Sequence, residues 1–307
     1  MRNRENTADY IWRLRDRALW PDSSLGADLY GNSKTIKSIT SKDIIKFQNN
    51  FYFGDNVTFV ILGKVNREKI LEIINTYFKV PLKTTDELKI SNDKKAPILL
   101  FEARDVLSTN VGIYYKSTSS TKIREVIALE LLKEIMGGTW ISLLNQSLRI
   151  NNNITYWVSG VSSNFSDERC VGVEFSCSKK DVKKAITLSL NEINSIISGL
   201  ISSQITISKY INSLSSSILR NNITPEQLLW WYDQMKVGDK MNLSPLDYVN
   251  ELKTITVEEV ISEAEKFLKK ENRAIVIIGP KIIKKEVVDT VDTVDNKISN
   301  YSNVINL

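Results

Sequence analysis

The sequence predicts an α+β protein of two related modules, the first one truncated, each a mixed or antiparallel sheet packed with helices on one side. Two observations carry this. The chain of 307 residues repeats itself once, at an offset of 216 positions, so that Lys37 to Gly63 lies without gaps over Lys253 to Gly279. The pairs Lys37/Lys253, Ile39/Ile255, Thr40/Thr256, Ile45/Ile261, Phe51/Phe267, Asn56/Asn272, Val60/Val276, Ile61/Ile277 and Gly63/Gly279 are identical. Each copy reads as a Thr N-cap with an acidic residue three positions on, a helix, and an apolar strand ending at glycine. The second observation is that strand-like and helix-like segments come in mixed order with a hairpin among them, which indicates α+β rather than a doubly wound parallel sheet.

In chain order, Thr7 to Trp20 predicts a helix with Tyr10, Ile11, Leu14, Ala18 and Leu19 on one face, stopped by Pro21. The stretch PDSSLGADLYGN reads as a loop leading to a helix from Thr40 to about Tyr52, followed by a strand at Val57 to Leu62 and a helix at Asn66 to Tyr77. Pro81 to Pro97 is polar and lysine-rich, and reads as a linker. Residues 1–80 are therefore expected to be the C-terminal half of a first module and residues 98–307 a complete second one. If the second copy begins near Ala96, the first begins about 120 positions before Met1 (96 − 216 = −120).

The second module opens with strands at Ile98 to Glu102 and Asn110 to Tyr115, then an apolar helix from Ile123 to Met136 capped by Gly137-Gly138. A shorter helix from Trp140 to Arg149 precedes a hairpin, with strands at Ile154 to Ser162 and Arg169 to Ser176. Amphipathic helices follow near Lys179 to Ser198 and Ser203 to Leu219, and Thr224-Pro225 starts another with Thr as N-cap and Pro at N1. The repeated helix and strand close the module, and the tail after Asp289 is expected to fray.

Composition narrows the chemistry. Apolar content of 42% and charged content of 25% are those of a globular domain, and the net charge of +5 comes from lysines dispersed among acidic neighbours, not from a basic stripe for nucleic acid. There is no histidine, which excludes Ser-His and Cys-His nucleophile pairs, His bases and His-ligated metals within this chain. Cys170 and Cys177 lie an odd number of residues apart in one strand-like run, so they fall on opposite faces and share neither a disulfide nor a metal. No apolar run reaches membrane-spanning length, so no membrane partner is expected, and MRNRENTADY has no signal-peptide core; the expected address is cytoplasmic, with a signal peptide ahead of Met1 left open. The pair Trp230-Trp231 reads as core or interface packing.

The segment with most chemical content is LLNQSLRINNNITYWVSG, residues 143–160. Arg149 ends a helix and Tyr156 sits in the following strand. A guanidinium and a phenol at such a junction could both donate to a peptide carbonyl or to the oxyanion it becomes when attacked. A helix-end Arg favoured by the dipole and an ordinary strand Tyr would give the same spacing.

The repeat and this segment together resemble the insulinase/pitrilysin family of zinc metallopeptidases, the inverzincins. ALWPDSSLGADLYGNSKTIKSIT, residues 18–40, is similar to the family's first-module pattern, although Ser23-Ser24 stands where many relatives have His-Pro. Phe51 to Val65 is similar to the aromatic-rich segment that precedes an apolar strand ending in Gly-(Asp)-Val. LLKEIMGGTWISLLNQSLRINNNITYWV, residues 131–158, is similar to the family's glycine-rich turn followed by a leucine-rich helix and an Arg-x6-Tyr pair, which falls on Arg149 and Tyr156. The resemblance implies that this pair binds a carbonyl of the peptide substrate opposite a zinc ion. The family's H-x-x-E-H and its downstream Glu ligand have no counterpart in this sequence, so no residue here is expected to be catalytic, and zinc is expected on a missing half-module or on a partner. The resemblance thus implies a C-terminal fragment or non-catalytic subunit, inactive alone, that meets its peptide beside a zinc-bearing peptidase subunit or its own N-terminal half-module. The competing expectation is a structural or assembly subunit without a peptidase role.

Overall fold

The structure is a computed structural model that describes residues 7–21, 23–78, 98–118, 122–165, 168–200, 204–238, 241–294 and 304–306. The expected linker, residues 81–97, lies outside them. One mixed sheet organises the chain. It is built from β1 (Ile98–Ala103), β2 (Ser108–Thr118), β3 (Val158–Asn164), β4 (Glu168–Ser178), β5 (Arg273–Gly279) and β6 (Val304–Asn306), in the order β3-β4-β2-β5-β1-β6. β3/β4, β4/β2 and β2/β5 pair antiparallel, whereas β5/β1 and β1/β6 are parallel. The α+β expectation holds.

Side-chain alternation divides the sheet cleanly. Leu99, Phe101, Val111, Ile113, Tyr115, Val171, Val173, Phe175, Ile275 and Ile277 face the main core. That core is closed by α5 (Ile123–Lys133), α6 (Val182–Ser195), α7 (Gln204–Arg220), α9 (Pro245–Leu252), α10 (Val257–Phe267) and α11 (Lys284–Val294). Leu100, Tyr114, Cys170, Ala274, Val276 and Ile278 face the other way, and α1 (Thr7–Leu19) covers them with Tyr10, Ile11, Leu14, Ala18 and Leu19. The apolar stripe read from the sequence of α1 therefore packs on the sheet of the second repeat. Cys170 faces α1 and Cys177 the main core, as their odd spacing requires. Both are free thiols that burial pushes up to about 12, which leaves them inert.

Polar groups tie α1 down. The Trp20 indole donates to Glu168 (3.1 Å), which also meets Lys116 (3.6 Å), and Arg15, held by Asp16 (2.8 Å), donates to the Ser163 hydroxyl on β3 (3.4 Å). The Tyr114 hydroxyl donates to Glu174 (2.8 Å). Desolvation raises the Glu174 carboxyl above its ordinary pKa, against the opposing Tyr114 hydrogen bond and the Arg15 charge. A carboxyl raised on folding favours the folded state at pH below its unfolded pKa, an advantage lost as pH rises through the folded value. Glu174→Gln keeps the acceptor for Tyr114 and removes the titration. Its stability relative to wild type is therefore expected to rise between pH 4 and 8, read by denaturant unfolding; a constant difference would contradict the assignment.

Local signals explain most helices. α3 (Ser41–Phe51) and α10 begin at the repeated Thr40 and Thr256 caps, each in a capping box with the acidic residue three on, Asp43 and Glu259. α4 (Arg67–Tyr77) starts at Asn66, and α8 (Pro225–Asp233) has Thr224 as N-cap with Pro at its first turn. Two helices were not anticipated: α2 (Ser33–Ser38), capped by Asn32 inside the expected loop, and α9, capped by Ser244. α11 runs to Val294, past the point where fraying was expected, because Val287, Thr290 and Val291 are buried. The tryptophan pair divides its roles. Trp231 donates to the Leu243 carbonyl (2.8 Å) and packs edge-on to Tyr248, whereas Trp230 is exposed.

The main correction concerns the first repeat. Residues 57–62, expected to be a strand, form none, although the matching residues in the second repeat are β5. The reason lies in the neighbours. β5 sits between β1 and β2, which take its N–H and C=O groups, and no strand flanks residues 57–62 among the described residues. An extended segment without a ladder partner leaves its backbone groups to water and is not a strand. Side chains follow the same division: Ile39 is 58% exposed against 0% for Ile255, Ile44 61% against 0% for Val260, and Ile61 45% against 0% for Ile277. Ile277→Ala is expected to cost about 2–5 kcal/mol as a buried-core deletion. The sequence-matched Ile61→Ala should stay within about 0.5 kcal/mol. Equal losses in denaturant unfolding would show that the first repeat is covered after all.

Candidate functional site

The candidate site grows from the end of α5. After Lys133 the helix widens into a π-helical turn over Glu134–Gly138, and there it meets β3. A Cβ on Gly160 would stand 2.6 Å from the Lys133 carbonyl oxygen and 2.8 Å from the Gly138 nitrogen, so helix end and strand touch backbone to backbone. Neither Gly137 nor Gly138 has a positive φ. The expected left-handed cap is therefore absent; Gly137 instead allows close approach, since its Cβ would stand 3.0 Å from the Gly160 nitrogen, whereas a Cβ on Gly138 would meet the Glu134 carboxylate.

Residues 139–142 form a pinned loop, and the helix expected from Trp140 starts at Leu143. The buried Asn145 amide donates to the Thr139 carbonyl (2.9 Å) and the Ser142 hydroxyl (3.1 Å). Gln146 Nε2 donates to the Trp140 carbonyl (2.8 Å), and the Tyr210 hydroxyl to the Ile141 carbonyl (3.2 Å). A second π-helical turn, Asn145–Asn151, then carries Arg149 in its last turn, with Leu144 and Leu148 anchored in the core. Asn153 takes a left-handed conformation at φ 52°, one that asparagine tolerates, and the Ile154 N–H returns to the Leu148 carbonyl (2.8 Å).

Within this frame the Arg149 guanidinium carbon lies 3.9 Å from the centroid of the Trp140 ring. Trp140 itself is exposed. Tyr156 falls in the loop before β3, not in the strand as expected, and is 90% exposed. That loop is held by the Thr155 hydroxyl, which donates to the Trp157 carbonyl (2.8 Å) and accepts from its N–H (3.2 Å). Among the described residues no hydrogen bond joins Arg149 to Tyr156, and neither side chain has a hydrogen-bond or ion-pair partner. The structure thus presents two unspent donors on a rigid frame. Sequence reasoning missed Trp140 and Asn145; a tryptophan two residues after a glycine pair was the available signal.

The peptidase M16 inactive domain profile matches residues 38–213. The chain belongs to that family. An uncharacterized zinc protease from Rickettsia bellii is 21% identical over 281 residues, covering 90% of this chain and 66% of the relative. One from Rickettsia felis is 24% identical over 62% of this chain and 48% of its own length. The beta subunit of the bovine mitochondrial-processing peptidase is 18% identical over 90% of this chain and 58% of the subunit. The chain therefore spans about half to two thirds of the length of these curated relatives. The crystal structure of a peptidase M16 inactive domain from Pseudomonas fluorescens has the same fold, with a TM-score of 0.77 at 16% identity, covering 91% of this chain and 67% of that one. A chain of complex III2 from Candida albicans matches with a TM-score of 0.80 at 12% identity, covering 95% of this chain and 72% of its own.

The zinc that this family implies does not fit the residues present. The chain has no histidine, its two cysteines lie on opposite faces of the sheet, and among the described residues no three acidic or cysteine side chains converge as a metal site. Among those residues no helix is long and apolar enough to cross a membrane.

Proposed function

We propose that this chain is the non-catalytic half of an insulinase/pitrilysin-type peptidase, supplying Arg149 and Tyr156 as peptide-binding donors opposite zinc held by another polypeptide segment. That segment is either a zinc-bearing subunit or an N-terminal half-module of the same protein. Residues 1–80 then complete a module with it, while their first helix, α1, reaches across to the sheet of the second module, residues 98–307. The observation that carries this reading is the contrast between the repeats: positions closed by β1, β2 and α5 in the second repeat stand open in the first. Each isoleucine-sized side chain covered is worth about 1.5–3 kcal/mol, so a matching half-module gains a strong apolar seat, and its strands give residues 57–62 their ladder. Arg149 and Tyr156 fit the donor role because both are unspent, one carried on a π-helical turn and the other on a hydrogen-bonded loop.

The test is reconstitution. The 307-residue chain alone should cleave no peptide, and mixing it with a zinc-bearing M16 counterpart should give a complex that does. Such a complex that forms with full zinc yet stays inert would favour the assembly role; failure to form any complex would remove the reading.

A further inference from the structure

We propose that Trp140 is a positioning residue for Arg149, holding the guanidinium flat and in place so that its N–H groups meet a backbone carbonyl of a bound peptide strand. This rests on the peptide-binding reading of Arg149. Three observations carry it. First, the guanidinium carbon sits 3.9 Å from the Trp140 ring centroid, close enough for face contact. A guanidinium lying on an aromatic face keeps its donors in its own plane, pointing away from the ring, so stacking fixes the group without consuming a hydrogen bond. Secondly, Arg149 has no carboxylate or carbonyl partner among the described residues, although it lies in the last turn of a helical segment where such a side chain commonly caps the helix carbonyls.

Thirdly, Trp140 is mounted, not buried. The residue is 62% exposed, so it contributes little to the core. Yet the main chain around it is fastened by the Gln146, Asn145 and Tyr210 side chains. A large aromatic on a fastened loop, with most of its surface in water and a cation on its face, is poorly explained by packing alone. As a clamp it makes sense. A free arginine samples many rotamers and must be immobilised when it binds, whereas a stacked one has already been ordered by folding.

Two measurements on the 307-residue chain separate this proposal from the reading beneath it. The first is the side-chain Nε–Hε resonance of Arg149, assigned by its disappearance in Arg149→Lys. It should be ring-current shifted in wild type, return toward the ordinary arginine position in Trp140→Leu, and stay shifted in Trp140→Phe. The second is titration with an acetylated, amidated hexapeptide of alternating valine and threonine, an uncharged extended probe. Arg149→Ala should abolish its binding, Trp140→Leu should weaken it about three- to ten-fold, and Trp140→Phe should remain within about two-fold of wild type. If Arg149→Ala abolishes binding while Trp140→Leu changes neither the resonance nor the affinity, the positioning role is overturned and the donor role stands. If wild type and Arg149→Ala treat the probe alike, the peptide-binding reading falls and this proposal with it.

Discussion

In complex with a zinc-bearing counterpart, Arg149→Ala and Tyr156→Phe are each expected to lower peptide turnover about 10²-fold, or roughly 3 kcal/mol, with complex formation and zinc content unchanged. A donor aimed at a carbonyl gains most when that oxygen becomes an oxyanion, so its loss falls on the transition state more than on substrate binding. The structure sharpens the experiment. Tyr156 is almost wholly exposed and Arg149 rests on an exposed ring, so neither substitution opens a cavity or strands a buried partner. Removing the Tyr156 hydroxyl should leave the unfolding free energy within about 0.5 kcal/mol of wild type. A fall in turnover that comes with a matching loss of stability or of assembly would point to a structural role, and turnover within a few-fold for both variants would remove the pair from the chemistry.

The parts of this fold that are written locally could be read from the sequence. Thr40 with Asp43, Thr256 with Glu259 and Thr224 with Pro225 announce helix starts because a capping box needs only four consecutive residues. The opposite facing of Cys170 and Cys177 follows from the period of a strand. What could not be read depends on partners distant in the chain. Residues 57–63 share Val60, Ile61 and Gly63 with β5, and only one copy is a strand, because pairing is a property of neighbours and not of the segment. The seat of α1 is equally non-local: its apolar stripe was legible, but not that the stripe would meet Tyr114, Val276 and Ile278.

The site itself was half legible. The spacing of Arg149 and Tyr156 could be noticed, but their environment could not, since π-helical turns break the regular i, i+4 neighbour rule. Trp140 and Arg149 are nine residues apart and meet only because the loop between Gly138 and Leu144 is folded back by Asn145. A single glycine shows how tightly this arrangement is specified.

Gly160→Ala is expected to be among the most damaging small substitutions in the chain. The new Cβ would lie 2.6 Å from the Lys133 oxygen, 2.8 Å from the Gly138 nitrogen and 3.1 Å from the Gly137 carbonyl carbon. All three are backbone atoms, so no side chain can rotate away, and the end of α5 must retreat from β3. Forced movement of this kind typically costs about 1–3 kcal/mol. The consequence for the site should exceed the consequence for stability, because the displaced residues lead directly into the Asn145-pinned loop that carries Trp140. A shift on the order of 1 Å in the placement of a reacting group can cost about 10²-fold in rate. Gly160→Ala should therefore lower the unfolding free energy and also move the Arg149 side-chain resonance, whereas Ser159→Ala, one residue away, should do neither. If Gly160→Ala unfolds at the wild-type denaturant midpoint with the Arg149 signal unmoved, the contact between helix end and strand does not set the geometry of the site.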